Sequence, residues 1–388
     1  MDPVPETSFD YGLEGFLADP QLKGRVGLVT NASGRDRHGV HIAKRLAGHP
    51  RLQLVRLFSP EHGFWSNAPD AEDVEHTVHP TLGVPIISLF GPRQAPTRQD
   101  LEDLDLIVYD IQDVGVRFYT YISTLRNVID SAAALGRPVH VLDRPNPIGG
   151  HIVEGPALTP GFESFVGHVA VPLRYGLTPG ELARWYASTS GAPAPIVWPC
   201  RGYRRRQPFT GLGVPWTPPS PSMPDPATAA FYPGTCLFEG LNVSEGRGTP
   251  APFRMLGAPW VNADRWLAAL GNRLPKGVSA VRCEFRPTFG TFEHQACQGI
   301  LLRSDSPTVD QAVHFGLEVI QSLMRSHPGQ VTFLTRAGDT MPFFDRLAGN
   351  AWLREGLLSD VDLSELMERA QEECTAFCQA RERFFLYD

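Results

Sequence analysis

The 388-residue sequence lacks the marks of membrane and nucleic-acid-binding proteins. No apolar segment is long enough to cross a membrane, and the amino terminus shows neither the basic start nor the apolar run of a signal peptide. The net charge is −7, and no long run of Lys and Arg offsets it locally. We therefore expect a cytoplasmic protein with no membrane or nucleic-acid partner; if a leader was trimmed, it would be periplasmic or secreted.

Metal-binding and nucleotide-binding motifs are also missing. The six cysteines form no CxxC pair, and Cys374 and Cys378, one helical turn apart, are more typical of buried thiols than of ligands. Neither the GxGxxG nor the GK[ST] phosphate-binding pattern occurs. One acidic segment contains enough ligands to be weighed as a metal site, but its irregular spacing matches no zinc pattern and favours a solvated loop: His62, Asp70, Glu72, Asp73, His76 and His79. We predict no metal and no cofactor.

What the sequence does contain is an alternation of short apolar runs with helical patterns. Near-continuous apolar runs are typical of strands that are buried on both faces of a parallel sheet. Alternation with helices predicts an α/β fold with a Rossmann-like, doubly wound sheet. The predicted strands are 25–30, 52–59, 84–89, 104–110 and 138–143, and the predicted helices are 40–47 and 119–135, the latter closed by Gly136.

The regular alternation of strand and helix patterns ends after residue 143. Thr178 and Glu181 form a capping-box pattern that predicts a helix start. The Pro-rich stretch 207–235 is either an interdomain connection or an ordered loop around the site. We therefore expect a Rossmann-like domain at 1–229 and a smaller α+β domain at 230–388, whose elements are a helix near 263–270, strands near 279–286 and 297–303, and helices at 307–326 and 361–384.

A polar loop, Ser59–Gly63, follows the second predicted strand. Open α/β sheets bind their ligands at the carboxyl ends of the strands. If Glu61 is partly desolvated there, its pKa rises and it suits general-acid catalysis beside His62. The alternative is that Glu61 caps the next helix or pairs with an arginine.

A denser polar loop, Asp110–Tyr121, follows the fourth predicted strand. Arg117 lies just before a helix whose amino end can hold an anion. Phe118, Tyr119 and Tyr121 offer flat faces to a sugar ring. The alternative is that these aromatic residues are core residues and that Arg117 pairs with Asp110 or Asp113.

Three further segments are polar and punctuated by proline or glycine. Asp143, Arg144 and Asn146 stand in a loop that two prolines make rigid, which suits a preorganised site or simply a stiff turn. Glu154 precedes Gly155 and Pro156, and the segment Asn242–Thr249 contains Glu245 and Arg247.

Together these motifs resemble one known family. GLVTN, SPEHGF, DIQDVGVRFYTY, LDRPNP, VEGP, SPSMP, YPG, EGLNVSEGRGT and GAPW occur in the order found in NamZ-type exo-β-N-acetylmuramidases. The resemblance runs from about residue 20 to the terminal FFLYD. It implies a Rossmann-like catalytic domain with a smaller auxiliary domain. It also implies a cell-wall-recycling hydrolase that releases terminal β-linked N-acetylmuramic acid from the non-reducing end of a peptidoglycan-derived saccharide.

The resemblance implies catalytic or substrate-binding roles for the polar residues introduced above. Glu61 becomes the expected catalytic acid, with His62, Asp110 and Asp113 as further catalytic candidates. Either Asp could act as base or nucleophile, or could orient the substrate's acetamido group. Arg117 or Arg144 is expected to bind the lactyl carboxylate. The predicted substrate-binding residues are Asn31, Gln112, Arg117, Tyr119, Tyr121, Asp143, Arg144, Asn146, Glu154, Asn242, Glu245 and Arg247.

The sequence departs from the family pattern at several positions. Trp65 replaces a basic residue, residues 66–70 lack the usual AGE-like run, Ser222 replaces an asparagine and Leu241 replaces a threonine. These changes border the expected site and bear on substrate preference. Two alternatives stay open: a hydrolase or transferase that acts on a nucleotide or phosphosugar, and a non-catalytic carbohydrate-binding protein.

Overall fold

The computed structural model describes residues 9–69, 72 and 76–388 and contains two β-sheets. The larger has the order β3-β4-β2-β1-β5-β6-β7, and all its neighbouring strands are parallel except β3 against β4. This confirms the predicted α/β class. Its strands are β1 (Gly24–Thr30), β2 (Leu52–Ser59), β3 (Thr77–Val78), β4 (Pro85–Ser88), β5 (Leu106–Asp110), β6 (Val139–Leu142) and β7 (Ile196–Trp198).

The central strands form as their composition predicts. Every residue of β5 and β6 is buried, because helices and loops cover both faces of the sheet. The chain builds β2 and β4 on one side of β1 and then crosses to β5, β6 and β7 on the other. The order therefore reverses between β1 and β5, which is where this class of sheet opens a crevice.

Helices cover both sheets. Their bounds are α1 (Gly12–Ala18), α2 (Ile42–Ala47), α3 (Arg98–Leu101), α4 (Tyr121–Ala133), α5 (Pro179–Ser190), α6 (Pro226–Thr235), α7 (Ala263–Leu270), α8 (Ala312–Ser326), α9 (Phe343–Ala348), α10 (Trp352–Leu358) and α11 (Leu363–Arg381). The predicted capping box at Thr178 and Glu181 starts α5. None of the described helices is both long and apolar enough to span a membrane.

The smaller sheet is antiparallel, with the order β8-β10-β9. It contains β8 (Met255–Ala258), β9 (Val278–Phe285) and β10 (Cys297–Ser304). α7 and α8 pack together beside it, and Trp266 of α7 is fully buried and donates to Val319 O and Ser322 Oγ of α8. The predicted smaller α+β unit is therefore present.

The close approach of α6 and α8 fixes one wall of the site described below. Gly234 and Gly316 face each other so closely that a Cβ on Gly316 would lie 2.4 Å from the Cα of Gly234. Only glycine fits at such a crossing. Tyr232 and Cys236, two residues before and after Gly234, line the site.

Several predicted elements differ in detail. The helix predicted from 307 begins at Ala312, because Glu154 supplies the cap at that position through bonds from Val313 N and His314 N. The Pro-rich stretch 207–235 ends in α6 and not in a loop, with Pro226 in the first turn and Pro233 inside the helix. The described helices α1, α3, α9 and α10 are four to seven residues long and had no periodic signal.

Candidate active site

A cavity of about 210 Å³ lies where loops after β2, β4 and β5 meet the smaller sheet's unit. Both parts of the chain line it, so it is closed by residues that are far apart in sequence. The larger sheet's part contributes Glu61, His62, Phe90, Gln94, Phe118, Tyr119, Thr120, Phe165, Val166, Ser220, Ser222 and Met223, and the other part contributes Tyr232, Cys236, Glu239, Arg247, Phe253, Arg336, Phe343 and Leu347.

Glu61 enters the cavity from a tight turn after β2. His62 and Gly63 both have left-handed backbones, with φ values of 67° and 74°. The turn is fixed by His62, whose Nδ1 contacts Ala68 O at 2.9 Å and whose carbonyl accepts bonds from Asn67 N and Ala68 N. A left-handed non-glycine residue is uncommon and is retained where its surroundings hold it.

The loop between β5 and α4 supplies the partner of Glu61. Thr120 immediately precedes α4, makes no side-chain cap bond, and donates its hydroxyl to Glu61 Oε2 at 2.6 Å. The rings of Phe118 and Tyr119 pack edge-to-face on Tyr232, with centroids 5.2 and 5.9 Å apart. The loop therefore orients a carboxyl group and forms an aromatic wall.

The opposite wall carries a second carboxylate between two arginines. Glu239 Oε1 lies 2.8 Å from Arg247 NH1, and Glu239 Oε2 lies 3.4 Å from Arg336 NH2. The Cys236 thiol donates to Glu239 Oε1 at 3.1 Å, and burial raises its pKa, so it stays protonated. Arg336 is stacked on Phe343 and is half-exposed at 52%. Both arginines line the cavity, and the half-exposed Arg336 can meet an anion there.

Asp110 and Asp113 are not among the described residues that line this cavity. Asp110 is fully buried and accepts a bond from Arg144 Nε at 2.5 Å. Asp113 Oδ2 accepts bonds from Gly115 N and from the hydroxyl of Tyr175, and burial raises the pKa of Asp113 to about 6. In this structure both carboxyls, each expected as a catalytic candidate, are therefore held by buried partners away from the cavity lining.

Arg117 and Arg144, the expected anion binders, are also buried and lie outside the lining of the cavity. Arg117 pairs with neither Asp110 nor Asp113; its guanidinium donates to four carbonyl oxygens, and burial lowers its pKa to about 10. Arg144 pairs with Asp110 and lies over the ring of Tyr11, 4.5 Å from its centroid. Neither guanidinium lines the cavity.

Side chains fill the crevice between β1 and β5, where the strand order of the larger sheet reverses. Arg144, Gln112 and Tyr11 help to line it, and only about 10 Å³ is left, barely room for one water molecule. Gln112 Nε2 donates to Asp113 O and Pro145 O, and therefore braces the loop. This filling disfavours the nucleotide alternative that a Rossmann-like sheet invites.

Most of the other predicted site residues do not line the cavity and instead form hydrogen bonds that hold the loops of the larger sheet's part. Asn31 Nδ2 and the Tyr121 hydroxyl both donate to Pro219 O, one residue before the lining residue Ser220. Asn146 Nδ2 donates to Leu177 O. Asp143 accepts from Thr178, Gly180, Tyr387 and Arg144 N.

The remaining predicted residues lie partly outside the cavity and partly in its wall. Glu154 caps α8 and lies 3.7 Å from Arg174. Asn242 bonds the backbone of Gln330 and Thr332. Glu245 is buried behind Arg247 and contacts NH1 at 3.1 Å; burial raises the pKa of Glu245. Of the predicted residues, the cavity therefore brings together Glu61, His62, Tyr119 and Arg247.

Among the described residues, no group of three His, Cys, Asp or Glu side chains is arranged to hold a metal ion. Of the acidic segment weighed above, Asp70 and Asp73 lie outside the described residues.

Sequence reasoning missed Thr120, Glu239 and Arg336. Glu239 has a signal, since it is the first residue of the EGLNVSEGRGT motif. Arg336 has none, because it is a lone arginine in an irregular segment, 97 residues from its partner Glu239.

Comparison with known proteins covers nearly the whole chain. Two family models match: "Exo-beta-N-acetylmuramidase NamZ, N-terminal" over residues 26–227, and "Exo-beta-N-acetylmuramidase NamZ, C-terminal" over residues 230–387. The chain is 35% identical to the peptidoglycan β-N-acetylmuramidase NamZ of Bacillus subtilis (strain 168) over 380 residues, which is 97% of this chain and 91% of that protein.

Solved structures agree with the fold. A DUF1343 family protein from Bacteroides fragilis NCTC 9343 superposes with a TM-score of 0.89 at 30% identity, covering 99% of this chain and 100% of its own. A second DUF1343 family protein from that organism gives a TM-score of 0.77 at 28% identity, covering 98% of this chain and 99% of its own.

Proposed function

The chain belongs to the NamZ family of exo-β-N-acetylmuramidases, and from that membership we propose which residues of the cavity carry the reaction. The protein is a glycosidase that acts on peptidoglycan fragments and releases terminal N-acetylmuramic acid. The substrate is therefore a saccharide whose terminal ring bears an acetamido group and a lactyl carboxylate. The cavity must hold that ring, protonate the glycosidic oxygen and offset one negative charge.

Glu61 is the proposed general acid. The observation that carries this assignment is its position in the cavity, with Oε2 held at 2.6 Å by the Thr120 hydroxyl. A glycosidase acid must be oriented toward the leaving oxygen and must deliver its proton as the bond breaks. Thr120 supplies the orientation, and the turn at His62 supplies the rigidity.

Glu239 is the proposed second carboxylate, in place of Asp110 or Asp113. Among the described residues that line the cavity, Glu61 and Glu239 are the acidic ones. Each of its two oxygens faces a guanidinium, Oε1 that of Arg247 at 2.8 Å and Oε2 that of Arg336 at 3.4 Å. An ionised carboxylate can stabilise the oxocarbenium-like transition state, act as base or nucleophile, or orient the acetamido group.

Arg336 is the proposed main contact of the lactyl carboxylate, and Arg247 assists it. Arg336 is half-exposed, so an incoming carboxylate can reach it at a small desolvation cost, and its planar guanidinium can bind a carboxylate through two bonds. Ser222 adds a polar group to the wall, since its buried hydroxyl has no hydrogen-bond partner among the described residues.

We also propose the division at residues 229/230 and a cytoplasmic site of action. The division is supported by the two family models, which cover 26–227 and 230–387. The cytoplasmic location is supported by the six cysteines, all of which are free thiols, as is usual in a reducing compartment.

The test uses chromogenic β-N-acetylmuraminide and β-N-acetylglucosaminide substrates. We expect the wild-type protein to cleave the muraminide and Glu61→Gln to lose at least ~100-fold in kcat with an unchanged melting temperature. Glu163→Gln, a change at a glutamate outside the cavity, is the control. Sugar binding without turnover in the wild type would identify a non-catalytic binder. Near wild-type turnover by Glu61→Gln would remove Glu61 from the acid role.

A further inference from the structure

A second cavity, of about 540 Å³, lies next to the turn that carries Glu61. No described residue lines both cavities. The lining side chains that matter here are Arg35, His41, Lys44, Phe64, Trp65 and His79.

Trp65 is the conspicuous member of this second cavity. Its side chain is 46% exposed, although an indole normally gains free energy by burial. The exposed ring is nonetheless fixed: it packs edge-to-face on Phe64 with centroids 5.2 Å apart, and lies 6.2 Å from the ring of His79. A rigid, half-open aromatic face costs little conformational entropy when it binds a ligand.

The support beneath Trp65 is well packed. Phe64 is buried and contacts the rings of His41 and His79 at 5.0 and 5.2 Å. Burial lowers the pKa of His41 to about 4, so its imidazole is neutral at neutral pH. A neutral ring with one donor and one acceptor fits its contacts with Asn31 O and Ala43 N.

Cationic side chains border the aromatic face. Arg35 is held by its bonds to Ala32 O and Gly39 O at 3.0 and 2.8 Å, and Lys44 stands exposed on α2. The cavity thus combines a flat apolar surface with donors that suit acetamido and carboxylate oxygens. That combination fits a saccharide better than a purely apolar ligand.

The position of Trp65 relates it to the substrate. It follows Glu61 by four residues, so their Cα atoms are at most ~14 Å apart. The first cavity, at about 210 Å³, encloses only the end of a peptidoglycan strand, and the remaining sugars must lie outside it. The second cavity is lined by Trp65, from the same turn as Glu61, and offers an exposed aromatic face.

We propose that the second cavity is a distal saccharide site, in which a sugar of the peptidoglycan strand beyond the cleaved bond stacks on Trp65 and contacts Lys44 and Arg35. The inference rests on the proposed function for the nature of the substrate. It makes Trp65 a residue that selects for strand length.

The test compares Trp65→Ala with Ile196→Ala, a change at an equally exposed apolar side chain remote from the cavity (46%). The KM of a tetrasaccharide with a terminal N-acetylmuramic acid and the inhibition constant of free N-acetylmuramic acid are measured for each. We expect Trp65→Ala to raise the tetrasaccharide KM about tenfold and to change the inhibition constant less than twofold. Ile196→Ala should change neither value.

An unchanged tetrasaccharide KM, or an equal rise in both constants, would overturn the distal site. A dimer that Trp65→Ala abolishes in light scattering, with the KM unchanged, would show that a second copy occupies the cavity instead. If Trp65→Ala lowers the melting temperature, Lys44→Glu replaces it, with the same expected pattern. If the wild type releases no sugar, the proposed function fails separately, and calorimetric binding of the tetrasaccharide to wild type and Trp65→Ala decides this inference.

Discussion

Replacing Arg117 by methionine distinguishes a structural arginine from a substrate-binding one. In the structure Arg117 is fully buried and donates to Pro156 O and Val171 O at 2.9 Å, and to Leu347 O and Ala348 O at 3.3 and 2.6 Å. Methionine keeps the apolar stem but removes these donors. Pro156 O and Ala348 O still accept bonds from Leu173 N and Asn350 Nδ2, whereas Val171 O and Leu347 O lose the bond that Arg117 gives them. Each buried acceptor left unpaired costs roughly 1–3 kcal/mol, partly offset because a desolvated charge is removed as well.

We therefore expect Arg117→Met to lower the free energy of unfolding by about 2–4 kcal/mol. At about 2.1 cal/mol/K per residue, a chain of this length has an unfolding entropy of about 0.8 kcal/mol/K. The melting temperature in scanning calorimetry should fall by roughly 3–5 °C, while the KM for the chromogenic muraminide, measured well below that temperature, stays constant.

The matched variant Arg336→Met should behave in the opposite way. Arg336 is half-exposed, so its loss should change stability by less than about 0.5 kcal/mol. The KM for the muraminide should rise about tenfold, because the lactyl carboxylate loses a charged partner. An unchanged melting temperature with a raised KM in Arg117→Met would refute the assignment of Arg117 to the scaffold.

Three more changes test the account. Thr120→Val removes the bond to Glu61 without removing a helix cap, so kcat should fall roughly tenfold with KM and melting temperature unchanged; an unchanged kcat would contradict the role of Thr120. Burial raises the pKa of Asp143 to about 7 from 3.8, so the folded protein keeps a proton that the unfolded chain releases, and stability falls as the pH rises between those values. Asp143→Asn should reduce the fall in the free energy of unfolding with pH by up to about 1.4 kcal/mol per pH unit. Melting temperatures of both proteins between pH 4 and 8 measure this pH dependence. The same pH dependence in both proteins would show that Asp143 does not titrate there. Glu154→Gln should lower the melting temperature, because it weakens the cap of α8, and should leave the muraminide KM unchanged; a raised KM would return Glu154 to the site.

The parallel sheet was predictable from the sequence, because strands that are buried on both faces consist of nearly continuous apolar residues. The strands β1, β2, β5 and β6 read as apolar runs, and the helix start at Thr178 carries a local capping signal. Short helices such as α9 and α10 form through tertiary contacts and leave no such signal.

Only those site residues whose position depends on a single loop after a strand were predictable from the sequence. Glu61 follows a strand directly, so its position was evident from the order of elements. Arg117 follows another strand, but its partners Leu347 and Ala348 are more than 200 residues away, and a local pattern cannot show that it turns inward. Glu239 and Arg336 line one cavity with Glu61 only because the two parts of the chain pack together, and a local sequence pattern cannot show that packing.

The most direct test of the central claim is a crystal structure of Glu61→Gln with a bound disaccharide that begins with N-acetylmuramic acid. We expect the terminal ring to lie in the cavity between residue 61 and Glu239, with the glycosidic oxygen within hydrogen-bond distance of residue 61 and the lactyl carboxylate on Arg336. A disaccharide bound beside Asp110 and Arg144, with the cavity around residue 61 empty, would contradict it.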